Sequence, residues 1–468
     1  MTGDPSIVPI NQQALAKALS AEVILLKYDG RSKDWKPCDP PPRLVGILYS
    51  AQAYKYLPNL LGPARQPYFR EADGKLVMQS GYDAVSNLYG VFDPAEYVPP
   101  LRPTKETAQV ALAMLTPLID EFPFQNDYDR SAALAGILTA TTRNSYALAP
   151  AFHVKAATIG SGKSYLCELI AAFAGPADSA KVSYPSTAEE AGKSILALLL
   201  QCLAVIEFDD MVDDWKPFGI INRMLTAPSI TDRVLGASKT ATVSTRTLFL
   251  SSGNNVGPVR DTRRRVVTIH LDHQSATPST TAYKRNPVAE VRKNRGAYVA
   301  AALTIIQAWR NAGSPRADVS NIASYGGAWA DYARHPLIWL GLPDPATSLL
   351  EQVRHDPDAE ALGTLLAQWY RKFGTRPTTI RKVIEVVECD NEDLHDAISE
   401  FPIVERGQIN RSKFGWLLSR NVNRVVGGLK FQEAWADSRK AWQVVVIDPT
   451  SMPTNPGRES SADESDLY

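Results

Sequence analysis

Between His153 and Leu271 the chain alternates short apolar runs with amphipathic stretches. The runs HVKAAT, AKVSY, LAVIEF, TLFLSS and VVTIHL have the length and content of buried strands. Helical patterns separate several of them. One follows Lys163, and another, AEEAGKSILALLL, starts from a capping box of Thr187 and Glu190. Strands alternating with helices predict an α/β fold with a mostly parallel sheet covered on both faces.

The flanks read differently. Residues 1–100 are rich in proline and tyrosine, with PPPR at 40–43 and the turn signal DGK at 73–75, and form an accessory region of mixed structure. Residues 101–150 are a helical lead-in, where the apolar spacing of AQVALAMLTPLIDEF is helical and runs on toward the first strand. The core spans 151–275. A helical lid and connector follow over 276–356, with a long helical pattern from about Val288 to Ala312. In residues 357–447, ALGTLLAQWYRKFG, TTIRKVIEVVE and NRSKFGWLLSRNVN read as three helices. A hairpin then pairs GGLKFQEAW with AWQVVVI around the polar turn Asp437 to Lys440, which together suggests a winged helix. Residues 448–468 read as a disordered acidic tail.

Composition narrows the classes of function. With 468 residues, 44% of them hydrophobic, about three domains can each bury a core. Fifty basic residues balance fifty acidic ones, which argues against a protein that coats nucleic acid but allows a local basic channel. Cys38, Cys167, Cys202 and Cys389 form no CxxC pair, so neither a zinc site nor a disulfide framework is expected. The longest apolar run, Ile195 to Ile206, is interrupted by Gln201 and is shorter than the roughly 20 residues that span a bilayer. The opening MTGDPSIVPINQQ lacks the basic and apolar regions of a signal peptide, so a cytoplasmic location is expected.

The chemistry concentrates between 157 and 265. ATIGSGKS, residues 157–164, fits the phosphate-binding pattern GxxxxGK[ST] except that Ala157 stands at the first glycine. Gly160, Ser161 and Gly162 let backbone amides curl around the phosphates of ATP, Lys163 reaches the outer phosphate oxygens, and the Ser164 hydroxyl ligates Mg2+. The helix that follows, with Tyr165 in its first turn, turns its positive end to the same anion. Asp209 and Asp210 end an apolar strand. Asp209 is assigned to the metal and Asp210 to the attacking water, while Asp213 and Asp214 read as a solvated turn. Asn254 closes another strand and offers an amide to that water, although GNN also makes a good turn. Arg263, Arg264 and Arg265 follow, either as candidates for a finger on transition-state charge or as a solvated basic edge. Between the acids and Asn254, RVLGASKTATVSTR reads as a hairpin with Lys239 near its tip, suited to a nucleic-acid backbone or simply to the surface. In the last unit Arg411, Lys413, Arg420 and Arg424 are candidate phosphate contacts.

The order of these motifs resembles a superfamily III helicase core, a compact variant of the AAA+ ATPases. More closely, DRVLGAS at 232–238, SSGNN at 251–255 and RDTRRRV at 260–266 resemble the ATPase half of phage and integrative-element primase-helicases. GYDAVSNLYGVF at 81–92 and AAALTIIQAWRNAG at 300–313 fit the same picture. The resemblance covers about residues 65–315 and is most specific over 150–270. It implies an ATP-driven DNA helicase acting in replication of a phage, plasmid or integrative element. Its cofactors are ATP and Mg2+, and Lys163, Asp209, Asp210, Asn254 and either Arg264 or Arg265 carry hydrolysis. It also implies a homo-oligomeric ring, usually a hexamer, in which one subunit's arginine enters its neighbour's site. Ala157, an Asp210 where a glutamate is common, and three consecutive arginines depart from the pattern. Residues 1–100 show no zinc-binding cysteines or polymerase carboxylate motif, so primase activity is not carried over and a separate primase or replication protein becomes a candidate partner. Two other classes remain open: an initiator or loader ATPase without processive unwinding, and a nucleotide switch in a regulator or defence protein.

Overall fold

The computed structural model describes residues 5, 7–8, 10–51, 54–55, 57–234, 240–274, 283–390, 392–405 and 407–448. The chain divides into two compact units, residues 1–351 and 352–468. Nearly all of the acidic stretch read as a tail lies outside the described residues.

In the first unit, helices α1 (Lys105–Leu115) and α2 (Asp127–Thr142) precede the central strand β1 (Ala151–Ala156) and its helix α3 (Lys163–Ala172). Then come β2 (Ala180–Val182), α4 (Ala188–Leu199), β3 (Val205–Met211) and α5 (Gly219–Thr226). A hairpin of β4 (Ser229–Arg233) and β5 (Thr240–Ser244) leads to β6 (Leu248–Asn254), β7 (Val266–Leu271), α6 (Pro287–Lys293) and α7 (Arg295–Asn311). Strands β7-β1-β6-β3-β2 form one sheet in that order, and every pairing in it is parallel. All the strands read from the apolar runs are present.

Side chains alternate across this sheet, as period two requires. Phe152, Val154, Leu250, Val267 and Ile269 face a core shared with α1, α2, α3 and α7. Ile206, Phe208, Phe249 and Val266 face a second core with α4 and α5. Burial on both faces is why the strands read as near-continuous apolar runs.

Three boundaries differ from expectation. The helical pattern from Val288 to Ala312 is two helices that break at Asn294. The break sits beside Gly296, where an added Cβ would collide with the Glu96 backbone carbonyl, so the start of α7 is held by close approach of another segment. The capping box at α4 is half formed. Thr187 Oγ1 accepts from Glu190 N at 3.2 Å, but the Glu190 carboxylate takes the N–H and hydroxyl of Ser186. The accessory region is not uniform either. Phe69 and Tyr97 enter the main core, and the buried Gln66 amide donates to Thr141 O at 2.6 Å and Phe173 O at 2.9 Å. Residues 12–49, by contrast, form a helix, hairpin and helix in which Val45 is the buried hydrophobic.

The second unit has its own core. Helices Pro357–Phe373, Ile380–Asp390 and Arg411–Arg420 match the three read from sequence. A further helix, Glu392–Ser399, and the short pair Val404–Glu405 with Gln408–Ile409 intervene before the last of them. Leu366, Trp369, Phe414, Phe431 and Trp442 pack between these helices and the hairpin Leu429–Ala436/Arg439–Val446. Asp437 and Ser438, both with positive φ, close a two-residue turn whose twist matches the strands. No helix among the described residues is long and apolar enough to cross a membrane.

Candidate functional site

Parallel order brings the carboxyl ends of β1, β6 and β3 side by side, and the polar residues collect there. The loop after β1 turns on Gly160 and Gly162, with φ of 78° and 83°. Ala157 is not among the positive-φ residues, so a side chain is tolerated where the pattern usually has glycine. Ser161 Oγ donates to Thr158 O at 2.6 Å and closes the loop. Helix α3 then begins at Lys163, and its orphan N–H groups open toward the loop.

Lys163 is 8% exposed and makes no hydrogen bond or salt bridge among the described residues. Burial lowers its pKa, and the nearby charges of Asp210 and Asp209 oppose that shift. A buried ammonium beside a glycine turn and a helix N-terminus has the chemistry to meet an anion.

Asp209 lies at the end of β3. Its Oδ1 accepts from Ser164 Oγ at 2.7 Å, from Ser252 Oγ at 2.8 Å and from Asp210 N at 3.1 Å. Burial pushes its pKa up, but these hydrogen bonds and Lys181 pull harder, and the net shift is downward. The carboxylate is therefore ionised at neutral pH. The register of β3 against β6 slips between Phe208 and Met211, and Asp210 takes a φ of 48°. This bulge turns the Asp210 side chain into solvent while its N–H donates to Ser252 Oγ at 3.0 Å.

Ser164 and Asp209 are one hydroxyl and one carboxylate at 2.7 Å, close to the spacing of adjacent ligands around a small octahedral cation. Among the described residues no cluster of three His, Cys, Asp or Glu could hold a metal alone. The pair thus suits Mg2+ that takes its remaining ligands from phosphate and water.

Asn254 pairs in register with Ala156, at the root of the loop, and its Oδ1 is buried without a partner. Arg264 and Arg265 separate sharply. Arg265 is buried and donates to Asn222 Oδ1 at 3.1 Å, to Asp261 O at 2.8 Å and to the Asp261 carboxylate. Arg264 is exposed and pairs with Asp261 at 2.6 Å. The β4/β5 hairpin runs in register from Ser229↔Ser244 to Arg233↔Thr240. Lys239 and the rest of its tip lie outside the described residues.

In the second unit, Lys413 pairs with Glu405 at 2.6 Å, Arg424 pairs with Asp356 at 2.9 Å, and Arg420 stacks over the Trp416 ring at 5.1 Å. Arg411 is exposed at the start of its helix.

A cavity of about 400 Å3 opens beside Gly160, Ser161 and Gly162. The Phe122 and Tyr165 rings stack along it at 6.1 Å, Tyr165 Oη donates to Asn286 Oδ1 at 2.6 Å, and Arg285 also lines it.

Sequence reading had not singled out several groups here. Ser252 links Asp209 to the Asp210 amide, and only strand pairing brings it there. Lys181 reaches Glu168 at 2.7 Å and Asp209 Oδ2 at 3.6 Å. Glu207, fully buried two residues before Asp209, accepts from Ser179 and has its pKa raised to about 7 by burial. His153 is also buried. The Val256 carbonyl can only accept, so His153 Nε2 carries the proton and donates to it at 2.8 Å, and the neutral ring's Nδ1 accepts from Ser251 Oγ at 2.6 Å, while that Oγ accepts the Trp215 indole N–H at 2.9 Å. This network ties β1 and β6 to the segment after the acids.

Burial holds His153 neutral, with its pKa lowered to about 4 from 6.5. Between those values the unfolded chain binds a proton that the folded chain refuses, so stability is lost as pH falls from about 6.5 to about 4. Relative to His153→Gln, the wild-type chain is expected to lose up to about 3 kcal/mol between pH 7 and pH 4. Urea unfolding of both proteins at several pH values reads this directly. Glu207 contributes the opposite slope but is common to both, and a pH-independent difference would contradict the assignment.

No family model and no curated protein matches the chain. Among solved structures, the apo C-terminal region of NrS-1 aligns with 93% of this chain and 100% of its own at 10% identity, with a TM-score of 0.34. JCV helicase aligns with 56% of this chain and 71% of its own at 13% identity, with a TM-score of 0.23. The same helicase bound to a thiazolopyridinyl phenoxyphenyl acetamide aligns with 54% and 74% at 12% identity, again with a TM-score of 0.23. At these scores the function has to be argued from the site.

Proposed function

We propose that the chain is a ring-forming, ATP-driven motor that unwinds DNA in replication of a phage, plasmid or integrative element. One observation carries this reading. Ser164, Asp209, Ser252 and the Asp210 amide form one hydrogen-bonded cluster beside the buried Lys163, at the ends of adjacent parallel strands. A triphosphate in the loop meets backbone amides and the start of α3, with Lys163 on its outer oxygens. Ser164 and Asp209 would hold Mg2+, which would supply positive charge against the transferring phosphoryl group. Asp210 orients the attacking water and accepts its proton, and the Asn254 amide positions the same water. The base enters the cavity bounded by Phe122, Tyr165 and Arg285, where an aromatic face and a guanidinium are both available.

In this reading residues 151–275 are the motor core, 276–356 its lid, and 357–447 a winged helix that loads it onto DNA. Rings, six subunits in the family it resembles, complete each site with Arg264 from the neighbour. Displacement of a strand from forked DNA with and without ATP tests the whole proposal. ATP hydrolysis without displacement would favour the initiator or loader, and tight nucleotide binding without turnover would favour the switch.

The hairpin supplies a sharper test. In a ring such hairpins line the channel, where several lysines add weak phosphate contacts into a salt-sensitive grip. Lys239→Ala is expected to abolish both DNA stimulation of hydrolysis and unwinding. Unwinding at the wild-type rate across a salt series would remove the hairpin from the mechanism.

A further inference from the structure

Asp209 uses its two oxygens unequally. Oδ1 accepts from Ser164, Ser252 and the Asp210 amide, whereas the partner of Oδ2 among the described residues is Lys181, whose ammonium lies 3.6 Å away. The oxygen with lone pairs left for a metal is thus the one that already faces a cation.

Two elements put Lys181 there. Strand β2 pairs in parallel with β3, and Lys181 stands in register with Glu207, two residues before Asp209. From β2 the side chain reaches helix α3, where Glu168 accepts from its ammonium at 2.7 Å. Glu168 lies one helical turn beyond Ser164, on the same side of α3. The four residues therefore close a ring: Ser164 to Asp209, Asp209 to Lys181, Lys181 to Glu168, and back along one turn of the helix. The Lys181 side chain is 39% exposed, and ion pairs this open to water add little to stability. A charge fixed so close to a metal ligand still acts on any cation that the ligand meets.

From this geometry we propose that Lys181 is a positioning residue, a built-in counter-cation that holds and neutralises Asp209 while the site is empty and keeps a free divalent cation out until nucleotide arrives. Its ammonium repels a second cation at Asp209, so the carboxylate by itself is a poor metal trap. A triphosphate in the loop brings enough negative charge to offset that repulsion. Lys181 can then release Asp209 without losing Glu168, the nearer of its two partners. The arrangement ties metal binding to nucleotide binding. It rests on the reading of Ser164 and Asp209 as the residues that would hold Mg2+, and it adds a control on when they do so.

Mn2+ serves as the probe in place of Mg2+, because its electron paramagnetic resonance signal counts the free ion directly. In titrations of the full-length chain without nucleotide, Lys181→Met is expected to bind Mn2+ about tenfold more tightly than wild type, because it removes the charge and keeps a long side chain. Lys181→Arg, which keeps the charge, should stay within about threefold of wild type. Urea unfolding checks that the variants fold, and Lys181→Gln offers a second neutral side chain should Lys181→Met fail to. Adding Asp209→Asn to Lys181→Met should abolish the gain. An unchanged or weaker Mn2+ affinity in the neutral variant, a Lys181→Arg chain that behaves like it, or a gain that survives Asp209→Asn would overturn the inference. The same titration with ATP present tests the reading beneath it. Mn2+ held equally well by wild type and Asp209→Asn would instead overturn the assignment of Asp209 to the metal.

Discussion

Lys163→Ala is expected to abolish ATP hydrolysis, lowering turnover by about a thousandfold or more. The ammonium it removes is buried at the start of α3, next to Asp209 and Asp210. Removing it leaves the outer phosphates facing two carboxylates without the ammonium that offsets their charge. ATP binding should weaken along with turnover. Asp210→Asn should behave differently. Its side chain points into solvent and takes no part in holding Asp209, so the loop, Ser164 and Asp209 stay in place and ATP should bind nearly normally while hydrolysis almost stops. Measuring nucleotide affinity and turnover on both variants separates the two roles. Turnover near wild type in either would remove this site from the chemistry.

Arg264→Ala should be nearly as damaging, by on the order of a thousandfold, if it completes a neighbour's site. The two candidate arginines differ in what they touch. Arg265 is buried against Asn222 and Asp261 of its own subunit, so replacing it should destabilise the fold. Arg264 has an exposed head held by one surface carboxylate, a pairing worth little and easily exchanged for a phosphate. Mixing Arg264→Ala subunits with Lys163→Ala subunits should therefore restore part of the lost hydrolysis, because some interfaces then join an intact lysine to an intact arginine. Arg265→Ala in the same mixture should give no such rescue. Absence of rescue by Arg264→Ala in rings proven to be mixed would place the finger elsewhere.

Local chemistry was enough to read the parts of the core. Strands buried on both faces must be apolar throughout, so their runs stand out, and the parallel sheet follows from the helices between them. A loop that turns on positive φ must use glycine, so Gly160 and Gly162 mark it even where Ala157 departs from the pattern. The hairpins at Ser229–Ser244 and Leu429–Val446 were legible for the same kind of reason. What the chain did not disclose is how separate segments meet. The helix break at Asn294 answers to a backbone approaching Gly296 from residue 96, roughly two hundred positions away, and no local signal announces it.

The same division runs through the site. From the sequence alone came the candidate phosphate loop, the paired acids and the amide at the end of a strand, since each is a short motif with its own physical reason. Tertiary structure decided which of them touch. Strand order placed β6 between the loop and the acids, which made Ser252 a partner of Asp209, and a bulge in β3 sent Asp209 and Asp210 in different directions. It also chose between adjacent arginines, burying one and exposing the other, and left two of four tryptophans in the second unit facing water. Pairing, burial and exposure depend on what folds back from elsewhere in the chain, and a residue's own neighbours carry no record of that.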